Sequence, residues 1–552
     1  MSDKKFNTWQ HPYTPNPKYS KRVAYFCMEY AIHQPLKLYA GGLGYLAGSH
    51  MRSAYELKQN LIGIGIHWKY GYYNQISDEF RQMTVQWQAR NYNFLEDTGI
   101  IVPVYVDRHQ IYVKAMYLRP EIFNTVPIYL LTTDIPENDY LAQTITHKLY
   151  DGDLAARIAQ SIVLGIGGAK VVEALGGADI YHINEGHPLP VAFYLYSKYR
   201  DLEEVKKRFV FTTHTPEKAG NEVHEMWLLE KMSFFNFTPL PEIRKITQVE
   251  GDELDYTLTA LRMAKIANGV SKIHGEVSRK MWEGKEGVCP IISITNAQNK
   301  RYWADTDLVK ALAVHDDAAL LKRKMHLKKR LFETVGDQTG ELFDPDILTI
   351  VWARRFAGYK RPDLLIADYE RFMALVSRKD KPVQIIWAGK PYPLDQHGIS
   401  TFNHLVRYTQ KMPNCAVLTG YELTLSRLLK CGADVWLNTP RRPQEASGTS
   451  GMTAAMNGAI NFSILDGWVA EFARHGENAF IIPPVDISLP LDEQDRIDCQ
   501  NMYDILENEI IPLYYDHHDK WLEMMKRSMS EVTPYFDSGR MADEYYRLLY
   551  EA

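Results

Sequence analysis

The chain has 552 residues, of which 45% are hydrophobic and 24% are charged, the proportions of a soluble globular protein. That length is too great for one ordinary hydrophobic core and predicts two large domains. The formal net charge of −5 at pH 7, with a sequence pI near 6.4, excludes a general attraction to nucleic acid or to an anionic membrane, so any anion site must be local.

Cysteine usage and the apolar segments narrow the class further. The five cysteines are scattered without a C-x-x-C pair, which argues against a zinc or disulfide framework and favours a reducing, cytoplasmic compartment. No H-E-x-x-H or similar spacing indicates a metal site. The polar N-terminus lacks the apolar core of a signal peptide. The longest apolar tract, from Ile158, is predicted to be a buried helix because it is too short to span a bilayer.

A glycine-rich stretch is the first motif in chain order. The sequence "GGLGYLAG", residues 41–48, is predicted to form a loop before the helix "SHMRSAYELKQ". Taken alone the motif is weak evidence, because glycine-rich turns often serve only close packing. It lies in the first domain, where its backbone N–H groups are placed to reach a ligand held mainly by the second.

Two predicted strands of the first half each lead into a histidine. The segment "DLAARIAQSIVLGIGGAKVVEAL" is predicted to be a helix that stops at Gly176 and Gly177, and "DIYHIN" and "RFVFTTHT" read as strands. His187 follows the first strand in "NEGHP", and His214 follows the second in "FTTHTPE". A lone histidine is more often structural than catalytic, but the carboxyl end of a strand raises the odds of a functional role.

The second half predicts a parallel sheet. The runs "ILTIVWA", "VQIIWAG", "CAVLTGY" and "ADVWLN" are continuously apolar and are separated by helix-length segments, as expected for parallel strands buried on both faces. Ligands bind at the carboxyl ends of such strands. A boundary near Asn296 to Trp303 gives an N-terminal Rossmann-like domain over 1–298 and a C-terminal one over 299–525, with a helical segment over 526–552 packing back across the boundary.

The loop after "ILTIVWA" is rich in cations. It contains Arg354, Arg355, Lys360 and Arg361 within eight positions. Arginine offers a planar fork and lysine a point charge, and both suit a phosphate group. The alternative is a solvated basic loop, the commoner fate of a charge run. A second anion-suited stretch on the same predicted sheet favours the phosphate-site interpretation.

That second stretch is "EASGTSGMTAAMNG", residues 445–458. It begins with the carboxylate of Glu445, passes through a Gly/Ser/Thr turn and enters a short helix. A helix start presents unpaired backbone N–H groups and the positive end of the helix dipole to an anion. Glu445 either caps the helix or, as its place before the turn favours, contacts a ligand bound there.

Together these stretches resemble the short form of the glycogen/starch phosphorylase family over nearly the whole chain. The matching segments, in order, are "GGLGYLAGSHMRSAYEL", "GIGIHWKYGYYNQ", "NEGHP", "FTTHTPE", "ANGVSKIHGE", "ARRFAGYKRP", "AGKPYP", "EASGTSGM" and "NGAINFSILDGWVAEF". The resemblance implies an α/β fold of the GT-B type, in which two Rossmann-like, doubly wound domains face each other across a cleft. It also implies retaining transfer of an α-glucosyl unit on α-1,4-glucan, with inorganic phosphate and pyridoxal phosphate.

The resemblance assigns roles by motif match. The phosphate grip is implied for Arg355 and Lys360, with Arg354 and Tyr359 close by. Support of the same phosphate from the first domain is implied for Gly41, Gly42 and Gly44. Binding of the glucosyl unit is implied for Glu445, Ser447, Gly448, Thr449 and Asn296. His214 is implied to stabilise an oxocarbenium-like centre through its main-chain carbonyl, with its side chain on a sugar hydroxyl. These roles suit a reaction in which positive charge develops at the anomeric carbon and negative charge on the leaving oxygen.

The departures from the family cluster at the cofactor. Thr453 stands where the family has the lysine that carries pyridoxal phosphate, and a hydroxyl cannot form an imine. Ala297 stands where the family keeps a glycine. Gly420 precedes Tyr421 where the family commonly has asparagine. The covalent anchor of the cofactor is therefore absent from its usual position.

Three functions stay open at this stage. The first is phosphorylase-type transfer with non-covalent or absent pyridoxal phosphate, whose occupancy would depend on concentration. The second is transfer from a nucleoside diphosphate glucose, as in glycogen synthases of the same architecture, where a diphosphate fills the space of the two phosphates. The third is a catalytically silent glucan-binding relative, against which the retained set of cations, glycines and histidine argues.

Each function has its own partners. Phosphorylase activity predicts an α-glucan or maltooligosaccharide, phosphate and glucose 1-phosphate as substrates and products, with activity that rises on adding pyridoxal phosphate. The synthase-like function predicts saturable binding of a nucleoside diphosphate glucose, and the silent relative predicts maltooligosaccharide binding alone. The family commonly forms homodimers. Neither nucleic acid nor membrane is expected as a partner.

Overall fold

The computed structural model describes residues 6–551, and the chain divides into two compact units. The first comprises the described residues up to Tyr72, then Trp87–Asn296, and the residues from Ser538 on. The second comprises Tyr73–Gln86 and Ala297–Asp537.

The strands are, in chain order, β1 Val23–Phe26, β2 Leu61–Ile66, β3 Asn74–Ser77, β4 Met83–Gln86, β5 Glu96–Val106, β6 His109–Leu118, β7 Ile128–Thr132, β8 Ile180–Asn184, β9 Phe209–Thr212, β10 Val223–Glu225, β11 Glu253–Asp255, β12 Ile266–Gly269, β13 Ile291–Ser293, β14 Leu348–Ala353, β15 Val383–Ala388, β16 Cys415–Leu418, β17 Val435–Asn438, β18 Ile460–Ile464 and β19 Ala479–Ile482.

The α-helices are, in chain order, α1 Gly42–Glu56, α2 Pro120–Phe123, α3 Tyr140–Thr144, α4 Leu154–Ile162, α5 Gly168–Ala174, α6 Pro190–Tyr199, α7 Leu202–Lys206, α8 Met226–Lys231, α9 Leu240–Thr247, α10 Tyr256–Met263, α11 Lys272–Met281, α12 Lys300–Trp303, α13 Thr306–Ala313, α14 Asp317–Thr339, α15 Tyr369–Val376, α16 Gln396–Thr409, α17 Leu423–Gly432, α18 Ser450–Ala455, α19 Val469–Phe472, α20 Leu491–Ile505, α21 Ile511–Asp516, α22 His518–Tyr535 and α23 Ser538–Tyr545.

The main sheet of the first unit has the strand order β13-β12-β9-β8-β1-β2-β7-β6-β5. From β13 to β7 neighbouring strands are parallel, whereas β6 is antiparallel to both β7 and β5. The stretch β7-β2-β1-β8-β9-β12 follows the Rossmann order 3-2-1-4-5-6. The strand order reverses between β1 and β8, which makes the carboxyl ends of these two strands the expected ligand position in this unit.

The sheet of the second unit has the order β16-β15-β14-β17-β18-β19, and all its strands are parallel. This is again the order 3-2-1-4-5-6, with the reversal between β14 and β17. All four strands predicted from the apolar runs are confirmed. They are buried on both faces because helices cover each side, with α14 and α17 among those that complete the core. The predicted fold class, α/β of the GT-B type with two Rossmann-like domains, is confirmed.

Two segments do not follow the predicted domain boundaries. The hairpin β3–β4 belongs to the second unit because the buried side chain of Gln75 donates to the Gly389 carbonyl at 2.9 Å and accepts from the Gly420 amide at 3.0 Å. Within 526–552, α22 stays in the second unit. Only the chain from Ser538, where α23 begins, packs in the first.

The apolar helix of the first unit is longer than the apolar tract predicts. Together α4, a π-helical turn at Val163–Gly167 and α5 form one continuous helix over Leu154–Ala174. The longer helical segment predicted to stop at Gly176 and Gly177 describes this helix correctly. Within residues 6–551 it is the one helix long and apolar enough to cross a membrane by length and composition. Most of it is buried inside the first unit, as in the core helix of a soluble protein.

Candidate active site

The predicted cations and the predicted carboxylate of the second unit lie at the reversal point of its sheet. Arg354 directly follows β14, and Glu445 lies in the loop after β17. The two loops are tied together, because the Thr439 hydroxyl donates to the Lys360 carbonyl at 3.1 Å. Open α/β sheets bind ligands at this position.

Three charged side chains form a buried cluster at that point. Arg354 Nη1 donates to Glu445 Oε2 at 2.9 Å, and Lys360 Nζ donates to the same oxygen. All three residues are buried. Two cations therefore share one carboxylate oxygen, so the cluster carries a net positive charge, which suits an anionic ligand.

The electrostatics of Glu445 follow from this arrangement. Burial alone would raise the pKa of its carboxyl, but the charges and hydrogen bonds of Lys360 and Arg354 outweigh burial and hold the pKa below its ordinary value. Asp466 behaves in the opposite way. Burial raises its pKa to about 7, although its carboxylate accepts hydrogen bonds from the backbone amides of Glu445 and Gly467. Asp466 thus positions the backbone of Glu445.

The remaining cations of the basic loop have separate fates. Arg355, the next residue after Arg354, is exposed. Arg361 is buried and pairs with Asp495 and Asp498 at 2.7 Å each, which makes it a structural residue. Tyr359 is partly buried, and the Lys360 ammonium lies 4.6 Å from the centre of its ring. The loop therefore divides its charges between packing, the buried cluster and the surface.

The turn after Glu445 enters the short helix α18, as predicted. Gly448 has φ +82°, and a Cβ at this glycine would lie 3.2 Å from the Glu445 side chain, so the turn needs glycine. The buried Ser447 hydroxyl has no hydrogen-bond partner among residues 6–551, and neither has the Nε atom of Arg354. Thr449 precedes α18 and is partly buried. Buried polar atoms without partners at a cationic site are well placed to bind a polar ligand.

The position of the family lysine is closed. Thr453 is fully buried, and its hydroxyl donates to the Ser450 carbonyl at 2.9 Å. A different lysine, Lys430 on α17, is buried nearby, with its ammonium 3.9 Å from the centre of the Trp303 ring. This lysine has no counterpart among the residues predicted from the sequence.

In the first unit the predicted histidine lies at the end of β9. His214 Nε2 donates to Asn184 Oδ1 at 2.7 Å, and its backbone amide donates to Glu185 Oε2 at 2.7 Å. Burial lowers the pKa of His214 to about 3, so the ring is neutral. Burial raises the pKa of Glu185 to about 7, and this residue has φ +72°, a conformation rare for a non-glycine residue and common at functional sites.

His187 lies in the same loop as Glu185. Burial lowers its pKa to about 4, and its buried Nδ1 atom has no hydrogen-bond partner among the described residues. Asn296 is the last residue of the first unit before Ala297 begins a segment of the second. Its buried Oδ1 atom likewise has no hydrogen-bond partner among the described residues. Both therefore keep hydrogen-bonding capacity for a ligand.

The predicted glycine loop is wrong in its bounds. The helix α1 begins at Gly42, so most of the stretch is helical. Its glycines serve close packing, because a Cβ at Gly48 would lie 2.1 Å from the Ala31 carbonyl oxygen and one at Gly44 would lie 2.6 Å from Tyr39 Cβ. By contrast, a Cβ at Gly41 or Gly42 would meet no atom within 4 Å.

The Gly41 amide is engaged by the protein itself. Glu29, which follows β1, accepts hydrogen bonds from the backbone amides of Ala40 at 2.6 Å and Gly41 at 3.0 Å, and from the Tyr150 hydroxyl. The backbone amides that begin α1 at Gly42 are the remaining donors of this loop.

Four residues of these sites escaped the sequence patterns: Glu29, Glu185, Asp466 and Lys430. A signal existed for Glu185, because it directly follows a predicted strand and lies two positions before His187. Glu29 follows a strand too, but no motif marks it. Asp466 and Lys430 act through tertiary contacts that no sequence spacing reveals.

Two further findings concern metal ligands and a cavity outside these sites. Among residues 6–551, no group of three or more His, Cys, Asp or Glu side chains is arranged to hold a metal ion. A cavity of about 940 Å³ in the second unit is lined by residues of α12, α13 and α22, and none of the candidate residues lines it.

Known proteins resemble this chain along most of its length. The family model described as carbohydrate phosphorylase matches residues 255–483. An uncharacterized protein of Methanocaldococcus jannaschii is 47% identical over 96% of this chain and 100% of its own length. A maltodextrin phosphorylase of Thermococcus litoralis is 33% identical over 97% of this chain and 71% of its own length. A glycogen phosphorylase of Aquifex aeolicus is 32% identical over 96% of this chain and 86% of its own length.

The matched family region contains β14, β17 and the buried cluster between them. Identity above 30% extends over nearly all of this chain and more than two thirds of the two named phosphorylases. The chain therefore belongs to the glycogen phosphorylase family of carbohydrate phosphorylases.

Proposed function

We propose that this protein transfers an α-glucosyl unit between the end of an α-1,4-glucan and inorganic phosphate, releasing glucose 1-phosphate. The observation that carries the proposal is the buried cluster in which Arg354 and Lys360 share the carboxylate of Glu445 at the reversal point of a Rossmann-type sheet. The names of the two related phosphorylases support the same reaction class.

In the proposed reaction the cations of the second unit bind the phosphate. Exposed Arg355 grips it together with Lys360 and Arg354, while Glu445 holds the two buried cations in place and accepts a hydrogen bond from a sugar hydroxyl. The bond from the anomeric carbon to the glucan oxygen breaks, and a phosphate oxygen bonds to that carbon on the same face. The departing glucan oxygen takes the proton that the substrate phosphate gives up and becomes a hydroxyl.

The first unit contributes polar groups in the proposal. Neutral His214, fixed by Asn184 and Glu185, offers its main-chain carbonyl to the positive charge that develops at the anomeric carbon. The unpartnered Oδ1 of Asn296 accepts from a sugar hydroxyl. The amides at Gly42 and Gly44 support the phosphate.

Members of this family use pyridoxal phosphate, and the donor set here fits the phosphate part of that group. Arg354, Lys360 and the unpartnered Ser447 hydroxyl are donors of the kind a second phosphate needs. Thr453 does not fit the aldehyde, because its buried hydroxyl bonds to the Ser450 carbonyl and cannot form an imine. When bound, the cofactor would supply a second phosphate beside the substrate phosphate.

Glucose 1-phosphate formation tests the proposal. The full chain is incubated with maltooligosaccharide and phosphate, with and without added pyridoxal phosphate, beside the variant Arg355→Gln. We expect glucose 1-phosphate to accumulate, to increase with added cofactor and to fall strongly in the variant. Its absence under every condition would refute the proposal.

A second candidate function follows from Thr453. Without the usual lysine, the same cations suit the diphosphate of a nucleoside diphosphate glucose, and the reaction would then extend the glucan. Saturable binding of UDP-glucose or ADP-glucose, with no glucose 1-phosphate formed from glucan and phosphate, would favour this function. Binding of maltooligosaccharide without either activity would indicate a silent relative. We further propose a cytoplasmic homodimer, as expected from the family and the composition.

A further inference from the structure

Lys430 is a buried lysine beside the candidate site. It lies in α17, is 1% exposed, and its ammonium contacts the face of Trp303 with 3.9 Å between Nζ and the ring centre. A cation on an indole face is favourable, but burial of an ammonium is costly. A buried ammonium is therefore unusual in a residue that serves only to fill the core.

The surroundings place Lys430 near the closed position of the family lysine. The Asn457 side chain donates to the Thr453 carbonyl at 2.8 Å and to the Trp303 carbonyl at 3.0 Å, so these two residues flank a single amide. Helix α17 packs against α18, which carries Thr453. Lys430 and Thr453 therefore approach the same region from neighbouring helices.

One of the anion-binding groups also acts on Lys430. Beside burial, the charge of Arg354 helps to lower the pKa of the Lys430 ammonium. Arg354 in turn donates to Ser450 Oγ at 2.9 Å, one helical turn before Thr453. An amine, an aromatic face and an arginine fork thus occur together, which is the set of groups that a phosphorylated aromatic aldehyde requires.

Two further buried lysines of the second unit, Lys324 and Lys328, are bound to structural acceptors. Lys324 donates to the carbonyls of Cys431 and Asn457, both at 2.9 Å, and Lys328 pairs with Asp434 at 2.6 Å. Burial lowers the pKa of Lys430 to about 7, which leaves a large neutral fraction of the amine near neutral pH.

We propose that Lys430, rather than Thr453, forms the carbon–nitrogen double bond with an aldehyde cofactor of the pyridoxal phosphate type. The amine nitrogen adds to the aldehyde carbon, the C=N bond forms, and the carbonyl oxygen leaves as water with the two amine protons. The inference rests on the proposed function for the identity of the aldehyde. The covalent anchor of this chain then lies on α17 and not on α18.

Reductive trapping tests the proposal on the full chain. The protein is incubated with pyridoxal phosphate, reduced with borohydride, digested, and its peptides are analysed by mass spectrometry. We expect the reduced adduct at Lys430 at near-stoichiometric yield, with Lys324 and Lys328 unmodified. An adduct spread over exposed lysines, or none at Lys430, would overturn the proposal.

Three variants serve as controls. Lys430→Met keeps the length of the side chain in its apolar surroundings, and Lys430→Arg keeps the charge; both should lose the adduct and the near-ultraviolet absorbance of the bound aldehyde. Thr453→Val keeps the shape of the residue and should retain both signals. Each variant is first compared with the wild type by circular dichroism. A folded Lys430→Met protein that still carries the full adduct would contradict the proposal.

The result is separable from that of the activity assay. An adduct at Lys430 without glucose 1-phosphate formation supports this inference and refutes the proposed phosphorylase reaction. Glucose 1-phosphate formation without an adduct at Lys430 does the reverse.

Discussion

At the scale of single residues, Arg354 and Arg355 show how two adjacent arginines take different tasks. The buried Arg354 is bound to Glu445, whereas Arg355 is exposed. A buried ion pair becomes strongly destabilising when one partner is removed, since a charge is left without compensation. An exposed charge contributes little to stability. The two roles can therefore be separated by mutation.

We expect Glu445→Gln to lower the free energy of unfolding by about 3–5 kcal/mol, because Arg354 and Lys360 then lack their shared anion. Arg355→Gln should change it by less than about 0.5 kcal/mol, while reducing glucose 1-phosphate formation by roughly 100-fold or more. Urea unfolding measures the stability of the two variants, and the glucose 1-phosphate assay measures the activity of Arg355→Gln. Equal unfolding midpoints for Glu445→Gln and the wild type would show that the cluster is not a buried ion pair in solution.

Glu185 makes a pH-dependent contribution at the same scale. Its pKa is about 7 in the folded protein and about 4.5 when unfolded, so between these values the folded state binds more protons and stability falls as pH rises. The full penalty above pH 7 is up to about 3 kcal/mol. We expect Glu185→Gln to remove this fall.

The measurement is the difference in unfolding midpoint between wild type and Glu185→Gln from pH 5 to pH 8. The difference is needed because histidines with lowered pKa values, among them buried His50 and partly buried His214, contribute the opposite slope below about pH 6.5. A difference that does not change with pH would mean that the Glu185 carboxyl ionises normally.

At the scale of elements, the turn after β16 explains one departure from the family. Gly420 has φ +76°, and a Cβ there would meet nothing within 4 Å, so only backbone conformation restricts the residue. Asparagine is the non-glycine residue that best tolerates this region, which accounts for the exchange of asparagine and glycine here. The backbone amide of Gly420 donates to the side-chain oxygen of Gln75 in the β3–β4 hairpin.

We expect Gly420→Asn to change the unfolding free energy by less than about 1 kcal/mol and Gly420→Val to lower it by about 1–2 kcal/mol or more, because a β-branched residue is strained at positive φ. Thermal unfolding of the two variants beside the wild type measures this. Equal destabilisation by both would indicate that space, and not conformation, limits the position.

Elements also mark how far the sequence alone predicts this structure. Strands β14–β17 are predicted because runs buried on both faces need continuous apolar residues, and the predicted helix over Leu154–Ala174 follows from its periodicity. The start of α1 is missed because glycines read as a loop, whereas at Gly44 and Gly48 they permit close approach of Glu29 and Ala31. Strand-end motifs predict Arg354, Lys360 and Glu445, but not that one carboxylate oxygen joins both cations, nor that Lys430 lies beside Trp303.

At the scale of the whole molecule, the chain leaves the first unit for the β3–β4 hairpin, leaves it again at Ala297, and returns to it at Ser538. The returning segment completes the first unit. Tyr550 donates its hydroxyl to His182 Nδ1 at 2.7 Å, and Gln59 donates to the Ala542 carbonyl at 2.9 Å. The large apolar side chains of the segment that are fully or almost fully buried are Met541, Tyr545, Tyr546, Leu549 and Tyr550.

We expect a chain truncated after Asp537 to lose the fold of its first unit while the second keeps its own. Burial of five large apolar side chains contributes roughly 10 kcal/mol at 1.5–3 kcal/mol each, which equals the whole stability of a typical domain. Hydrogen exchange should show lost protection in β1 and β8 and retained protection in β14 and β17. Tyr550→Phe, which removes only one hydroxyl, should cost about 1 kcal/mol and keep protection in all four strands. Full protection of β1 in the truncated chain would mean that the first unit folds without the returning segment.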